Sequence, residues 1–382
     1  MNSFSFTIPQ NIVVGAGSLK RLPELAKNLK KSKAYIISGP HLEKIGMVDK
    51  CREALKAAGI ESDAFTQTEG NPSTDTVAKA ANGFKSSKAD FIVAFGGGSP
   101  LDVAKAVAVI ASYGGNITDY EGGGKVLGPV VPMIAIPTTA GTGSEVTAFS
   151  VITDHSRNYK LTVVSNYLLP AYAILDPELI TTVPKSTAAA CGIDAMVHAL
   201  EAFISKAASP FSDLFAKEAL RLIGTSIRDY VSDRSNLAAC ESMLIGSLFA
   251  GIAFSHARLG DVHAMSHPVS AYFDVAHGVA NAVLLPTVVD YNMTYANEKY
   301  KYIYDCICEK PLSDDTFTPE MLAAEIRVLN DELGIPSSLS EVGVDSSLFD
   351  KMADDAMKSG NILVNPRPTT KKDILALYAQ AF

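Results

Sequence analysis

A chain of 382 residues, 47% of them hydrophobic, holds enough apolar side chains for one large or two ordinary cores, which excludes a disordered polymer. A formal net charge of -8 without a cluster of Lys and Arg excludes a basic footprint for nucleic acid or an anionic membrane, and leaves a small soluble molecule as the expected partner. The opening residues MNSFSFTIPQ lack the order of a leader, no apolar run reads as a bilayer span of about 20 residues, and five cysteines without a paired CxxC framework imply reduced thiols in the cytoplasm.

Up to residue 183 the pattern is α/β. The β-branched runs AYIIS (34–38), FIVAF (91–95), MIAIP (133–137) and YAILD (172–176) end in turn-forming or polar residues, and stretches between several of them carry helical spacing. From 184 onward the segments 186–205, 209–232, 234–256 and 319–334 are longer, rich in Ala and Leu, and apolar at intervals of three and four, which predicts an all-helical half. With no flexible linker between them, domains 1–183 and 184–382 are expected to share a ligand-binding cleft.

Two loops in the first half suit a nucleotide. In FIVAFGGGSPLDVAKAVAVI (91–110) a buried-type strand runs through Gly96, Gly97 and Gly98 into a helix expected to start with Ser99 at the N-cap, Pro100 at N1 and Asp102 at N3. Glycines there permit close approach of a pyrophosphate to free N–H groups at the positive end of the helix. The spacing is neither GxGxxG nor GxxxxGK[ST], and a plain strand-to-helix turn is the competing reading. IPTTAGTGSEVTAFS (136–150) follows another strand and gathers Thr138, Thr139, Thr142 and Ser144 around glycines, so its hydroxyls suit phosphate or ribose; a polar turn bonded to its own backbone is the alternative.

The second half carries the histidines. In CGIDAMVHALEAF (191–203), Asp194 and His198 are four apart and so share one helical face. His263 and His267 repeat the spacing, and His277 follows shortly after. One carboxylate and several imidazoles suit a divalent first-row metal. His41 and His155 read as solvated loop residues, and Cys306 with Cys308 makes too small a set for a metal.

The motifs GGGSPLDVAKA, IPTTAGTGSEVT, GIDAMVHALEAF and RLGDVHAMSHPVSAYFDVAHGVANAVLLP, in this order and continuing to NPRPTTKKDILALYAQAF, resemble the iron-containing (group III) alcohol dehydrogenases over essentially the whole chain, in particular their short-chain alcohol, propanediol and lactaldehyde members. The resemblance implies a dehydroquinate-synthase-like architecture, an α/β nucleotide-binding domain followed by an all-α metal-binding domain, and reversible oxidation of a primary alcohol by a nicotinamide cofactor. It implies Asp194, His198, His263 and His277 as metal ligands, with Fe2+ the expected ion and Zn2+ or Mn2+ as alternatives, and His267 as the catalytic histidine beside the substrate. The cofactor-binding set comprises Gly39, Asn71, Gly97, Gly98, Ser99, Asp102, Thr138, Thr139, Phe149 and Lys160; Phe149, Phe254 and Ile362 are the expected apolar substrate pocket. A homodimer or higher homo-oligomer is expected. A zinc-dependent polyol dehydrogenase and a related metal-dependent lyase or synthase are the competing functions.

This chain departs from the family pattern at His256, Ser270, Ala276 and Thr287, where Asn, Gly, Pro and His are usual. It also has Gly39 at the strand end where NAD-preferring relatives carry Asp. The loss of that carboxylate predicts use of NADP(H), with His41 or Lys44 as candidate phosphate partners.

Overall fold

The computed structural model describes residues 6–8 and 10–382. Part of the N-terminal stretch read for a leader, residues 1–5 and 9, lies outside the described residues. The chain divides into two compact units, one of Ile8–Thr139 and Ser144–Thr181, the other of Met1–Thr7, Ala140–Gly143 and Thr182–Phe382.

The first unit is built on strands β1 (Asn11–Val14), β2 (Lys33–Ile37), β3 (Glu61–Phe65), β4 (Phe91–Gly96), β6 (Met133–Pro137) and β9 (Tyr172–Leu175), following the short β5 (Gly122–Gly123) and the hairpin β7 (Phe149–Asp154) and β8 (Tyr159–Val164) in chain numbering. The six form one parallel sheet in the order β1-β9-β6-β4-β2-β3, and β5, β8 and β7 form a separate three-stranded sheet. Alternate residues of a strand face opposite sides, so Tyr35, Ile37, Ile92 and Ala94 feed one core while Ala34, Ile36, Phe91, Val93 and Phe95 feed the other. Burial of both faces is what makes these strands nearly continuous apolar runs. Helices α1 (Leu22–Asn28), α2 (Pro40–Lys44) and α3 (Met47–Ala57) contribute to the second core, α4 (Thr74–Ser87) and α5 (Gly98–Tyr113) to the first. The chain turns from β2 to β3 on one side and from β4 to β6 on the other, so the order reverses between β2 and β4. In parallel sheets the crevice outside the strand ends at such a reversal is where ligands bind.

The second unit is helical: α6 (Lys185–Ile204), α7 (Pro210–Ser232), α8 (Leu237–Ala257), α9 (Asp261–Phe273), α10 (His277–Ile307), α11 (Glu320–Leu333), α12 (Phe349–Met357) and α13 (Lys371–Ala381). Ser209 caps α7 through a reciprocal bond with Ser212, and Pro210 follows at the first helical turn, where its missing N–H costs nothing. Contrary to the expectation from sequence, two helices, Lys185–Ile204 and Leu237–Ala257, are long and apolar enough to cross a membrane by length and composition. Their apolar windows are 89% and 67% buried inside the protein, as befits core helices of a helical unit.

Candidate active site

In the α/β unit the strand ends meet the residues expected to hold a nucleotide. Gly96 takes φ 154, a conformation open to glycine, and turns β4 into α5. The helix begins two residues earlier than the sequence suggested: Gly97 is the N-cap with no side-chain cap bond, so Ser99 and Pro100 already lie inside the first turn. Three glycines allow the early start, and the proline falls where N–H groups have no intrahelical partner in any case. The amide of Thr138 donates to the Gly96 carbonyl at 2.9 Å, and a Cβ on Gly97 would stand 3.2 Å from Thr139 Oγ1, so both loops converge on one spot. Lys160 Nζ donates to Asn71 Oδ1 at 2.6 Å, bringing that pair together as well.

Asp102 and Ser144 are engaged inside the protein. Ser144 Oγ donates to Asp102 Oδ1 at 2.7 Å, the Val151 amide donates to Asp102 Oδ2 at 3.1 Å, and burial holds the Asp102 carboxyl above its ordinary range. Beneath them Lys105 is fully buried and donates to Ser144 Oγ, Thr147 Oγ1 and the Phe149 carbonyl, with its pKa lowered by burial to about 8. This seam ties α5 to the 144–151 segment and fixes Phe149, which is half-buried at the start of β7. Gly39 closes β2 in extended conformation ahead of α2, so His41, expected in a loop, lies on that short helix.

In the helical unit the spacing of Asp194 and His198 does put both on one face of α6. Among the described residues the ligand atoms of Asp194, His263 and His277 lie within 4.8 Å of one another. Oδ1 of Asp194 is 3.8 Å from His263 Nε2 and 3.9 Å from His277 Nε2. His198 stands outside that group of three, yet its Nε2 is 3.8 Å from the same Asp194 oxygen. Its Nδ1 donates to the carbonyl of Gly141 at 3.2 Å; a carbonyl only accepts, so the Nε2 lone pair of His198 is left for an ion. Gly141 can bring its carbonyl there because a Cβ would be 2.8 Å from that of Cys191.

Two further residues belong to this cluster. Glu201 is buried one turn beyond His198; its Oε2 accepts from His263 Nδ1 at 2.6 Å and its Oε1 from the Val262 amide at 2.7 Å. Burial pushes the Glu201 carboxyl up to about 7 and holds His263 well below its usual value. The arrangement orients the His263 ring and leaves Nε2 unprotonated, as a metal ligand requires. Asn281, fully buried one turn after His277, places Nδ2 2.6 Å from Asp194 Oδ1, 3.1 Å from His263 Nε2 and 3.2 Å from His277 Nε2. Both were visible as spacing, Glu201 three residues after His198 and Asn281 four after His277, but neither residue type called attention to itself.

His267 is partly exposed, with its ring 6.2 Å from that of His263 and 5.3 Å from that of His277. Phe254 stacks on His198 at 4.5 Å, and Ile362 is buried in a short 3-10 turn, Ile362–Val364. His256 lies apart from the ligand cluster, with its ring 4.1 Å from Phe6, which in turn stacks on Phe215. Cys306 and Cys308 are free thiols, the first pushed up to about 11 by burial.

Residues 9–177 match the family model described as iron-containing alcohol dehydrogenase, and residues 188–382 match the C-terminal part of the Fe-containing alcohol dehydrogenase family. The chain is 39% identical over 382 residues to a 1,3-propanediol dehydrogenase of Klebsiella pneumoniae, covering 99% of each chain. It is 34% identical over 378 residues to an NAD-dependent methanol dehydrogenase of Bacillus methanolicus, again covering 99% of each. A crystal structure of 1,3-propanediol oxidoreductase superimposes with a TM-score of 0.94 at 38% identity, with all of both chains covered.

Proposed function

Since this chain belongs to the iron-containing alcohol dehydrogenase family, we propose that it interconverts short-chain primary alcohols or diols and their aldehydes with NADP(H) or NAD(H), using Fe2+ held by Asp194, His198, His263 and His277. The observation that carries this reading is the convergence of Asp194, His263 and His277, with Glu201 bracing the His263 ring. One carboxylate with imidazoles also accepts Zn2+ or Mn2+, and the family is what favours iron. A divalent ion there supplies a Lewis acid for the alcohol or carbonyl oxygen, and the nicotinamide accepts or returns the hydride.

The remaining work falls to the chain's own side chains. His267, one helical turn from His263, takes the alcohol proton toward solvent, and Phe254 with Ile362 offers an apolar wall suited to a short carbon chain. Gly97, Gly98, Ser99, Thr138 and Thr139 hold the cofactor pyrophosphate where no side chain caps α5, and Asn71 with Lys160 lies along the same cofactor. The similarity to relatives named for 1,3-propanediol and methanol supports small alcohols or diols as the substrates to test first. Five free thiols fit a reducing compartment, the cytoplasm. A homodimer or higher homo-oligomer is part of the same reading, and light scattering checks it.

Metal analysis of anaerobically purified variants, beside a scan of C1 to C4 alcohols, diols and aldehydes, tests the assignment. Asp194→Ala and His263→Ala should each lose bound metal and activity while the far-ultraviolet circular dichroism stays native. His267→Ala should keep the metal and lose turnover by about 10²-fold or more, as general acid–base groups typically contribute. Full metal stoichiometry in the first two variants would refute the ligand set; a metal-free His267→Ala would make His267 a ligand rather than a proton acceptor.

A further inference from the structure

Where α8 ends, the backbone takes a conformation that its residue does not favour. Arg258 has φ 62 and ψ -174, a region open essentially to glycine alone. Lys88 and Asp274 also end helices at positive φ, but with ψ 26 and 24 they adopt the ordinary left-handed cap. Packing around Arg258 holds it there. Its amide donates to the Phe254 carbonyl at 2.8 Å, Ser205 Oγ donates to the Ala257 carbonyl at 2.6 Å, and a Cβ on Gly260 would stand 3.0 Å from both Glu201 Oε1 and Asn365 Oδ1. Glycine at 258 would complete the same turn without strain, so what arginine adds is its guanidinium.

The guanidinium is both placed and uncommitted. A Cβ on Gly360 would run into Arg258 Nη2, so the side chain reaches from the end of α8 to the turn two residues before Ile362. It thereby joins the two elements that carry the proposed apolar wall, α8 with Phe254 and the 3-10 turn with Ile362. Arg258 is exposed, and among the described residues it makes no hydrogen bond or ion pair. No acid of the segment under it can answer the charge: from Ala356 to Lys372 there is no Asp or Glu, and Asp355, just before, accepts from Tyr272 Oη at 2.8 Å and Lys358 Nζ at 2.6 Å. Asp261 accepts from Thr369 Oγ1 at 2.6 Å, and Glu201 is committed to Val262 and His263. A solvated arginine on an ordinary surface carries no such backbone strain, and strain of this kind persists at ligand clamps. We infer that Arg258 sets substrate specificity: its guanidinium fork receives a carboxylate or sulfonate at the end of a short aldehyde or alcohol remote from the reacting carbon, so the preferred substrate is anionic rather than neutral. The inference rests on the alcohol dehydrogenase reading above and narrows its substrate class.

Initial rates with NADPH and NADH on matched aldehydes test it, butanal against succinic semialdehyde for a carboxylate and propanal against sulfoacetaldehyde for a sulfonate. Wild type should show the higher kcat/KM for the anionic member of at least one pair, and the pair tells which anion the fork takes. Arg258→Gly, which suits this backbone and removes only the side chain, should lower the anionic-over-neutral ratio by about tenfold or more, the scale of a charge-assisted hydrogen bond. Arg258→Lys keeps the charge without the fork and should fall between the two. Added salt should erode the ratio in wild type and leave it flat in Arg258→Gly, because only the former pairs charges at the site. Arg258→Gly should also melt above wild type as the strained backbone is released. A ratio that Arg258→Gly leaves unchanged in both pairs, or a wild type that prefers the neutral member of both, overturns the proposal whatever the melting temperature does. Failure of the underlying reading is separable, because wild type would then reduce neither neutral nor anionic aldehydes with either cofactor, and that outcome removes both.

Discussion

Gly39 shows how much one missing side chain can alter at the end of a strand. The residue is extended, φ -104 and ψ 164, so no backbone strain demands glycine, and what its absence of a side chain changes is charge and room. If residue 39 faces the adenosine ribose, a carboxylate here would bond the ribose diol of NAD and repel the 2′-phosphate of NADP, and glycine would leave that repulsion out. The neighbouring acid, Glu43, is occupied by a hydrogen bond from Thr66 Oγ1 at 2.5 Å. A Cβ on Gly39 would lie 3.2 Å from the Thr68 carbonyl oxygen, tight enough that steric and charge effects need separating. Gly39→Asp should therefore lower the ratio of kcat/KM for NADP over that for NAD by at least about tenfold, which takes only about 1.4 kcal/mol, while Gly39→Ala leaves the ratio near wild type. Equal shifts in both variants would mean that shape, not charge, sets the preference. An unchanged ratio in Gly39→Asp would place residue 39 away from the ribose.

At the scale of elements, the metal cluster depends on how closely α10 packs on α6. Gly278, directly after the proposed ligand His277, has no room for a side chain, because a Cβ there would clash with the backbone carbonyl of Ala190 on α6. Backbone cannot rotate aside as a flexible side chain can. Gly278→Ala should cost about 1–3 kcal/mol of stability, as overpacking does, and should displace His277 from Asp194 enough to weaken metal binding by about tenfold. Denaturant unfolding and chelator competition read the two effects, and a variant with wild-type values in both would mean that α10 shifts freely. The sequence carried the period of these elements well. Strands at 33–37, 91–96, 133–137 and 172–175 were visible because burial on both faces writes itself as apolar runs, and Asp194 with His198 was visible because a helix repeats near four. Less legible were features decided by tertiary partners. The start of α5 moved to Gly98 because glycine flexibility leaves the cap undetermined by sequence alone. Glu201 and Asn281 are ordinary helix residues until α6, α9 and α10 bring them to the histidines, and His256 meets the ring of Phe6, about 250 residues distant in the chain.

For the molecule as a whole, the proposed ligand set would make folding and metal binding one linked equilibrium. Asp194 and His198 come from α6, His263 from α9 and His277 from α10, so the site exists only while three helices keep their places. An ion that binds the folded arrangement and not the unfolded chain stabilises the former by about 2.7 kcal/mol when its free concentration is a hundred times the dissociation constant. For a unit of roughly 200 residues, each kcal/mol shifts the melting temperature by roughly 2–4 °C. Chelation should then lower the melting temperature by roughly 5–10 °C, and returning Fe2+ or Zn2+ should restore it in proportion to the logarithm of free metal. Asp194→Ala serves as the control, because it should melt at the same temperature with and without chelator. An equal chelator shift in wild type and Asp194→Ala would place the stabilising ion somewhere other than among these three helices.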